Sequence, residues 1–305
     1  MIEVQHLTKY YGGHLAIDDL SFNAQPGEIV GLLGPNGAGK TTTMRILTGF
    51  MPPSSGEAKI AGYDVFTDSM EIRKRVGYLP ERVPIYPDMS VKDYIAFWAK
   101  LRGIKRPRKQ VDAVLEQVQL TQRRDSLIRH LSKGMRQRLG LAQALVHNPD
   151  VVILDEPTIG LDPQQVIEVR EAVRQLGQNH TVLFSTHILS EAEQVCDRVI
   201  IIHNGRIVAQ GRPAEIRQQL QPGAHLYVQV GGADEAATLR MLESVPGVEA
   251  VSRQGDGYTV RAQSGEDIRA ELGTQIMQNG YSLLELRPVA MTLEDMFLDI
   301  VSREG

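Results

Sequence analysis

Gly34, Gly39, Lys40 and Thr41 stand in the order G-x-x-x-x-G-K-[ST]. The apolar run Ile29 to Leu33 before them reads as a buried strand. Thr42-Thr43-Met44-Arg45-Ile46-Leu47 after them reads as the start of a helix. A strand-loop-helix passage of this kind suits an anion. Its glycines let the backbone turn tightly, so N–H groups from Gly34, Asn36, Gly37, Ala38 and Gly39 through Thr42 can converge on one phosphate. The helix N-terminus adds its dipole and its free donors. Lys40 can reach the β- and γ-phosphates of a nucleotide, and Thr41 can offer its hydroxyl to Mg²⁺. The chemistry is nucleotide binding, and the choice between ATP and GTP rests on other motifs.

Acids and donors downstream fit the same chemistry. Asp150-Val151-Val152-Ile153-Leu154-Asp155-Glu156 is an apolar strand ending in two carboxylates, and parallel sheets bind ligands beyond the carboxyl ends of their strands. Asp155 is placed to hold Mg²⁺ and Glu156 to polarise an attacking water. Two buried acids without a cation would be costly as mere structure. The next strand, Thr181 to Ser185, ends in Thr186-His187 on the same rim, where His187 can donate to a γ-phosphate oxygen or stand as a plain surface residue. Glu81, closing Gly77-Tyr78-Leu79-Pro80, can touch the metal or be a solvated loop residue. Tyr11, before Gly12-Gly13, can stack on a base or pack on the sheet, with Tyr10 as its substitute. In Leu131-Ser132-Lys133-Gly134-Met135, Ser132 is a good helix cap and Gly134 allows close backbone approach.

The elements that must position these residues read as follows. Residues 2–7 and 16–30 give two strands, the second with a turn at Pro26-Gly27, and residues 57–66 a strand pair. Arg73 to Leu79 closes on a short strand. Ser90 to Gln122 is mostly helical, opening with Ser90 and Asp93 at capping-box spacing; its cations Arg102, Lys105, Arg106, Arg108 and Lys109 form a solvated face or a partner-facing patch. A periodic helix follows Met135, and Pro157 to Pro163 turns into another.

The chain has 305 residues, enough for two domains, with 42% hydrophobic content. Its formal charge of −4 argues against nucleic acid as the main partner. Cys196 is the only cysteine, so no internal disulfide forms, and a reducing cytoplasm is the natural setting. The N-terminus lacks a basic-then-apolar leader, and no uncharged run reaches the ~18 apolar residues of a membrane span.

With these motifs in order, residues 1 to about 220 resemble the ATP-binding subunit of an ABC transporter. That resemblance implies an α/β P-loop cassette with a parallel core sheet, an antiparallel β subdomain and a helical subdomain. It further implies ATP with Mg²⁺, and a head-to-tail pair of cassettes enclosing two nucleotides. Each site would join one phosphate loop to the other copy's Ser132 and Gly134. Tyr11 would stack on adenine, Glu156 would be the hydrolytic base, and Asp162 would couple the two sites. His187 would contact the γ-phosphate. A separate transmembrane permease would hold the pair at the cytoplasmic face of the membrane. Glu81 stands where the family usually has Gln, and Lys133 and Met135 replace the first Gly and the Gln of Leu-Ser-Gly-Gly-Gln. These substitutions resemble the ABC-2 exporter branch. A soluble ABC ATPase acting on ribosomes or DNA is the rival reading; the single cassette, with no sustained heptad between residues 41 and 131, speaks against it.

Gln221-Pro222-Gly223 marks a boundary, with the cassette spanning 1–220 and an accessory domain 224–305. Strand 225–230, helix 234–244, strands 248–253 and 257–262, helix 266–279 and strand 282–287 give a β-α-β-β-α-β order, a small α+β ferredoxin-like unit. A last amphipathic helix, 292–301, opens with Thr292 and Asp295 as a capping box. Without acids or histidines at ligand spacing, this domain reads as a dimer-contact or regulatory module rather than a ligand sensor.

Overall fold

The computed structural model describes residues 1–220, 225–232, 234–263 and 267–289. The boundary tripeptide at 221–223 and the helix expected over 292–301 lie outside them. The chain divides into two compact units, Met1–Pro213 and Ala214–Gly305.

The first unit is built on a six-stranded sheet in the order Arg206–Gly211, Arg198–His203, Ile29–Leu33, Thr181–Thr186, Val151–Leu154, Val76–Leu79. Its neighbours pair in parallel, except for the antiparallel edge Arg206–Gly211. Ile29–Leu33 and Val151–Leu154 are buried at every position, as strands covered on both faces must be. Leu33, Leu154 and Thr186 therefore end at one rim, and the residues that follow each strand meet there. A four-stranded antiparallel sheet, ordered His14–Ala24, Ile2–Tyr11, Ser55–Ile60, Tyr63–Asp64, supplies the second layer. Its side chains Ile2, Val4, Leu20 and Ile60 share one core with Leu32, Met44 and Ile153 of the larger sheet and the phosphate-loop helix.

Two local readings are corrected, and a third, the mostly helical stretch from Ser90, holds with a break inside it. The first strand runs on to Tyr11, through an irregularity between Val4 and Leu7 where His6 takes a positive φ of 50°. Arg73 to Arg75 do not begin a strand but end the helix Ser69–Arg75. The stretch from Ser90 is two helices, Val91–Leu101 and Arg108–Gln117, broken at Gly103, whose φ of 85° no helix accommodates. Ser90 caps the first of them, its hydroxyl accepting from the Asp93 N–H. Of the basic run, Arg102 is half-buried and donates to the Arg73 carbonyl, while Lys105, Arg106, Arg108 and Lys109 are exposed. Among the described residues no helix is long and apolar enough to cross a membrane.

The second unit holds an antiparallel sheet in the order Val248–Gln254, Gly257–Ala262, His225–Gly231, Ser282–Pro288. Helices Glu235–Glu243 and Arg269–Gln278 join its core through Leu242, Leu272 and Ile276, packed with Leu226, Val228 and Val260. This is the ferredoxin-like arrangement the element order implies.

Within the first unit, the strand Val76–Leu79 docks tightly on the helix Lys133–Leu145. A side chain at Gly77 would put its Cβ 2.2 Å from the Ala144 carbonyl oxygen. Just past that helix, the ring Nε2 of His147 lies 3.2 Å from the Val76 carbonyl and must carry the proton that it donates there. Its Nδ1 is buried without a partner. Burial, and after it the charge of Arg102, lowers the imidazole from its ordinary value of 6.5 to about 4. Between those values the unfolded chain binds a proton that the folded one refuses, so stability falls as pH drops from about 6.5 to about 4. His147→Gln, which keeps a donor for Val76, should flatten that slope. Urea midpoints measured at half-unit steps from pH 7 to pH 4 check it; parallel curves for the two proteins would reject the assignment.

Candidate functional site

The loop from Gly34 to Gly39 connects the strand Ile29–Leu33 to the helix Lys40–Leu47. Gly39 sits at φ 108°, and a Cβ on it would fall 2.8 Å from the Ala16 carbonyl oxygen, so the sharp entry into the helix requires glycine. That helix opens with neither a side-chain cap nor an acid in its first turn. Its leading N–H groups and the positive end of its dipole are therefore left for an anion.

The two acids beyond Leu154 are both buried, Asp155 at 0% and Glu156 at 6% exposure. Asp155 Oδ1 accepts from the hydroxyls of Ser185 (2.8 Å) and Thr41 (3.3 Å), while Oδ2 has no partner. Burial raises the Asp155 carboxyl above its ordinary value. The Ser185 and Thr41 hydrogen bonds draw it down, and the charges of Glu156 and Glu81 push it up again. Glu156 takes a positive φ of 47°, a conformation uncommon outside glycine. Its N–H donates to Ser185 Oγ at 2.8 Å, and its carbonyl accepts from the Ile159 N–H. Its carboxylate lies between two nitrogens, Lys40 Nζ at 3.3 Å from Oε1 and His187 Nδ1 at 2.9 Å from Oε2. The Lys40 amine also donates to the carbonyls of Gly34 (2.6 Å) and Pro35 (3.1 Å).

A cleft of about 460 Å³ opens over these groups, bordered by the phosphate loop, Thr41, Thr42, Glu81 and Glu156, with Tyr11 and His14 at its edge. Tyr11 is half-exposed, donates its hydroxyl to Met51 Sδ at 3.1 Å and has the Lys9 ammonium over its ring, 5.6 Å from the centroid. A second cavity, between the helices Lys133–Leu145 and Pro163–Gly177, is more apolar but lies away from this chemistry. Asn36 and Gly37 line the cleft; Ala38 is buried beneath it, its carbonyl accepting from the Gly205 N–H at 3.1 Å.

Ser132, Gly134 and Asp162 do not border this cleft. Ser132 caps the helix Lys133–Leu145 by accepting from the Met135 N–H, and Asp162 caps Pro163–Gly177 by accepting from the Gln165 N–H at 2.9 Å. Gly134 packs against the Gln165 side chain, whose Cδ a Cβ there would meet at 2.6 Å. Ser132 and Asp162 are exposed at two capped helix N-termini, with Gly134 buried between them and covered by Gln165. Sequence reading missed Ser185 and His14. Ser185 ties Asp155 to Glu156, and its only signal is a hydroxyl at the end of the apolar run Val182-Leu183-Phe184; His14 carries no signal of its own.

A family model described as "ABC transporter" matches residues 17–159, and one described as "ATP-binding protein DrrA1-3-like, C-terminal domain" matches residues 211–301. The chain is 36% identical over 307 residues to the Nod factor export ATP-binding protein I of Ralstonia nicotianae, covering 100% of this chain and 94% of the relative. It is 34% identical to the bacitracin transport ATP-binding protein BcrA of Bacillus licheniformis, covering 99% and 97%. It is 32% identical to the linearmycin resistance ATP-binding protein LnrL of Bacillus subtilis, covering 99% of each. A solved ATP-binding subunit of an ABC transporter superposes with a TM-score of 0.65 at 33% identity, covering 72% of this chain and 92% of that one. The dimeric cassette MJ0796 superposes at 0.64 and 23% identity, covering 70% and 99%, a likeness of fold.

Lys40 and Glu156 are both under a tenth exposed, so each depends on the other for charge balance. Lys40→Met should lower the unfolding free energy by about 2 kcal/mol, because it leaves the buried carboxylate with only the His187 ring beside it. Adding Glu156→Gln should restore most of that loss. Urea unfolding of the two variants and the parent tests this; equal stability of the single and double variants would show that the pair does not govern it.

Proposed function

The chain belongs to the ABC transporter ATP-binding family, whose members bind and hydrolyse ATP to power transport, and from that premise we propose how its own residues carry the reaction. The observation that carries the reading is the meeting of Lys40, Thr41, Asp155, Glu156 and His187 at one sheet rim. Residues 34–42 bind the phosphates, with Lys40 exchanging the Gly34 and Pro35 carbonyls for phosphate oxygens. The same exchange frees Glu156, which accepts a proton from the attacking water.

The donor set fits Mg²⁺. Asp155 offers a buried oxygen with no partner beside the Thr41 hydroxyl. Among the described residues no three acids, histidines or cysteines cluster as a full metal cage, and Mg²⁺ bound with phosphates needs only one or two protein ligands. Thr41 and Asp155 would hold it, with Glu81 at the cleft edge, and when bound it neutralises phosphate charge. His187 carries a proton condition. With Nδ1–H given to Glu156, a neutral ring has a bare Nε2, so donating to a γ-phosphate requires either the imidazolium or release of Glu156. Tyr11, exposed at the cleft edge, stacks on adenine.

The surface of Ser132 and Asp162, with Gly134 buried beneath it, completes the site of a second copy. Its capped helix starts face a partner's nucleotide while this chain's own cleft receives the partner's equivalent surface. A head-to-tail pair follows, seated on a separate permease at the cytoplasmic face of a membrane. Residues 1–220 form the cassette, and 224–305 an accessory module for dimer contact or regulation. Relatives named for Nod factor export and bacitracin transport support an ABC-2 exporter; the cargo is chosen by the permease.

Glu156→Gln should bind ATP as the parent does and lose ~10²–10⁴ in turnover. With excess Mg-ATP its mass by light scattering should correspond to a pair. Parental turnover would remove Glu156 as the base. A single-chain mass, alone and with the permease, would remove the shared site.

A further inference from the structure

Glu191 is a buried acid that the chemistry above leaves unused. It is 6% exposed, in the first turn of the helix Leu189–Val195. Among the described residues no basic side chain pairs with it. An ionised carboxylate out of water is expensive unless its oxygens are engaged. Here Oε2 accepts two hydroxyls, from Thr158 at 2.8 Å and from Thr186 at 3.0 Å, and both threonines are buried.

Each threonine belongs to a turn that carries a reacting group. Thr158 stands two residues past Glu156, inside the turn closed by Ile159 N–H on the Glu156 carbonyl. Thr186 directly precedes His187. Its hydroxyl, besides donating to Glu191, accepts from the Ile188 N–H at 3.0 Å, which fixes the backbone on both sides of His187. The contacts close a ring: Glu156 to His187 by a side-chain bond of 2.9 Å, His187 back to Glu191 through Thr186, and Glu191 to the Glu156 turn through Thr158. Such a ring also accounts for the positive φ of Glu156, since an uncommon backbone conformation persists where its surroundings over-determine it.

We propose that Glu191 is a positioning residue: one carboxylate oxygen, shared by Thr158 and Thr186, holds the turn of Glu156 and the turn of His187 in a single register. The proposal rests on the reading of Glu156 and His187 given above. It adds that the two side chains are set as a unit by a residue that touches neither nucleotide nor water.

The test uses the full chain with its permease. Glu191→Ala removes the shared acceptor, whereas Glu191→Gln keeps a carbonyl oxygen able to take both hydroxyls. Misplacing a catalytic group by about 1 Å costs up to ~10²-fold. Glu191→Ala should therefore lower kcat roughly 10- to 100-fold while KM for ATP moves by less than about threefold, and Glu191→Gln should recover most of the loss. In a His187→Ala background the Glu191→Ala effect should shrink to the part carried by the Glu156 turn through Thr158. The imidazole ¹⁵N resonances of His187, read without nucleotide, should shift in Glu191→Ala and return in Glu191→Gln. Unchanged kcat or unmoved resonances in Glu191→Ala would overturn the proposal, as would a loss that simply multiplies with that of His187→Ala. Should Glu191→Ala fail to fold, Thr186→Val deletes one donor at constant volume and is read in the same cycle. The two readings fail separately. Normal turnover of Glu156→Gln sinks the base assignment, whereas additivity between Glu191 and His187 sinks only the tether.

Discussion

Everything at the rim depends on keeping two adjacent carboxylates, Asp155 and Glu156, out of water at the end of an apolar strand. The strand Val151–Leu154 is covered on both faces, so whatever follows it begins in a buried setting. Neither acid is tolerable there by itself. The chain answers with separate devices: hydroxyls from Ser185 and Thr41 on Asp155, and the amine of Lys40 with the ring of His187 on Glu156. On the reading proposed above, Lys40, Thr41 and His187 are also groups that a bound nucleotide would engage. On that reading, an incoming phosphate would compete for groups that also hold these acids in the fold.

The sheet order explains why these residues meet at all. Ile29–Leu33 lies between Thr181–Thr186 and Arg198–His203, with Val151–Leu154 one strand further out. In parallel register, Leu33 is level with Thr186 and Leu154 with Phe184, so three loops far apart in sequence share one edge. The positions of chemical interest are then set by strand length alone. The tight seat of Gly77 on the Ala144 carbonyl ties the outer strand to the helix that Ser132 caps. The surface of Ser132, with Gly134 buried beneath it, is thereby anchored to the same sheet as the phosphate loop, through Val76–Leu79 beside Val151–Leu154.

Legibility of the sequence follows the range of the interactions. The phosphate loop is readable because glycine, lysine and threonine act within eight consecutive residues, and because the apolar run before it can only be a covered strand. Caps are readable for the same reason: Ser90 and Ser132 each bond an N–H three positions on, as does Asp162, whose cap only the structure shows. Ser185 and Glu191 are not readable. Their partners lie about thirty positions away, Asp155 and Thr158 respectively, and only the parallel pairing of two strands brings them together. Helix ends fail for a local reason. Around Arg73 the apolar residues Ile72 and Val76 stand four apart, and the chain stays helical to Arg75, where Glu71 pairs with Lys74 and Arg75 on one face.

The three departures from the family pattern act on this arrangement in different ways. Glu81 borders the cleft and its charge works against ionisation of Asp155, so the substitution makes the demand for a cation greater. Met135 contributes its backbone N–H to Ser132, a bond that any residue but proline would make, which explains why the position tolerates change. Lys133 is exposed at the start of its helix, where a cation opposes the dipole. Its amine reaches to Gly160, where a Cβ would come within 2.1 Å of Nζ, so it spans from the Ser132 turn to the turn before Asp162. Gly160 keeps that span open, since its φ of 64° and the crowding amine both exclude a side chain. The Lys133 amine is thus an exposed positive charge between two capped helix starts. The chain's own phosphate loop lies elsewhere, and on the proposed pairing the anion facing this amine is the nucleotide of the second copy.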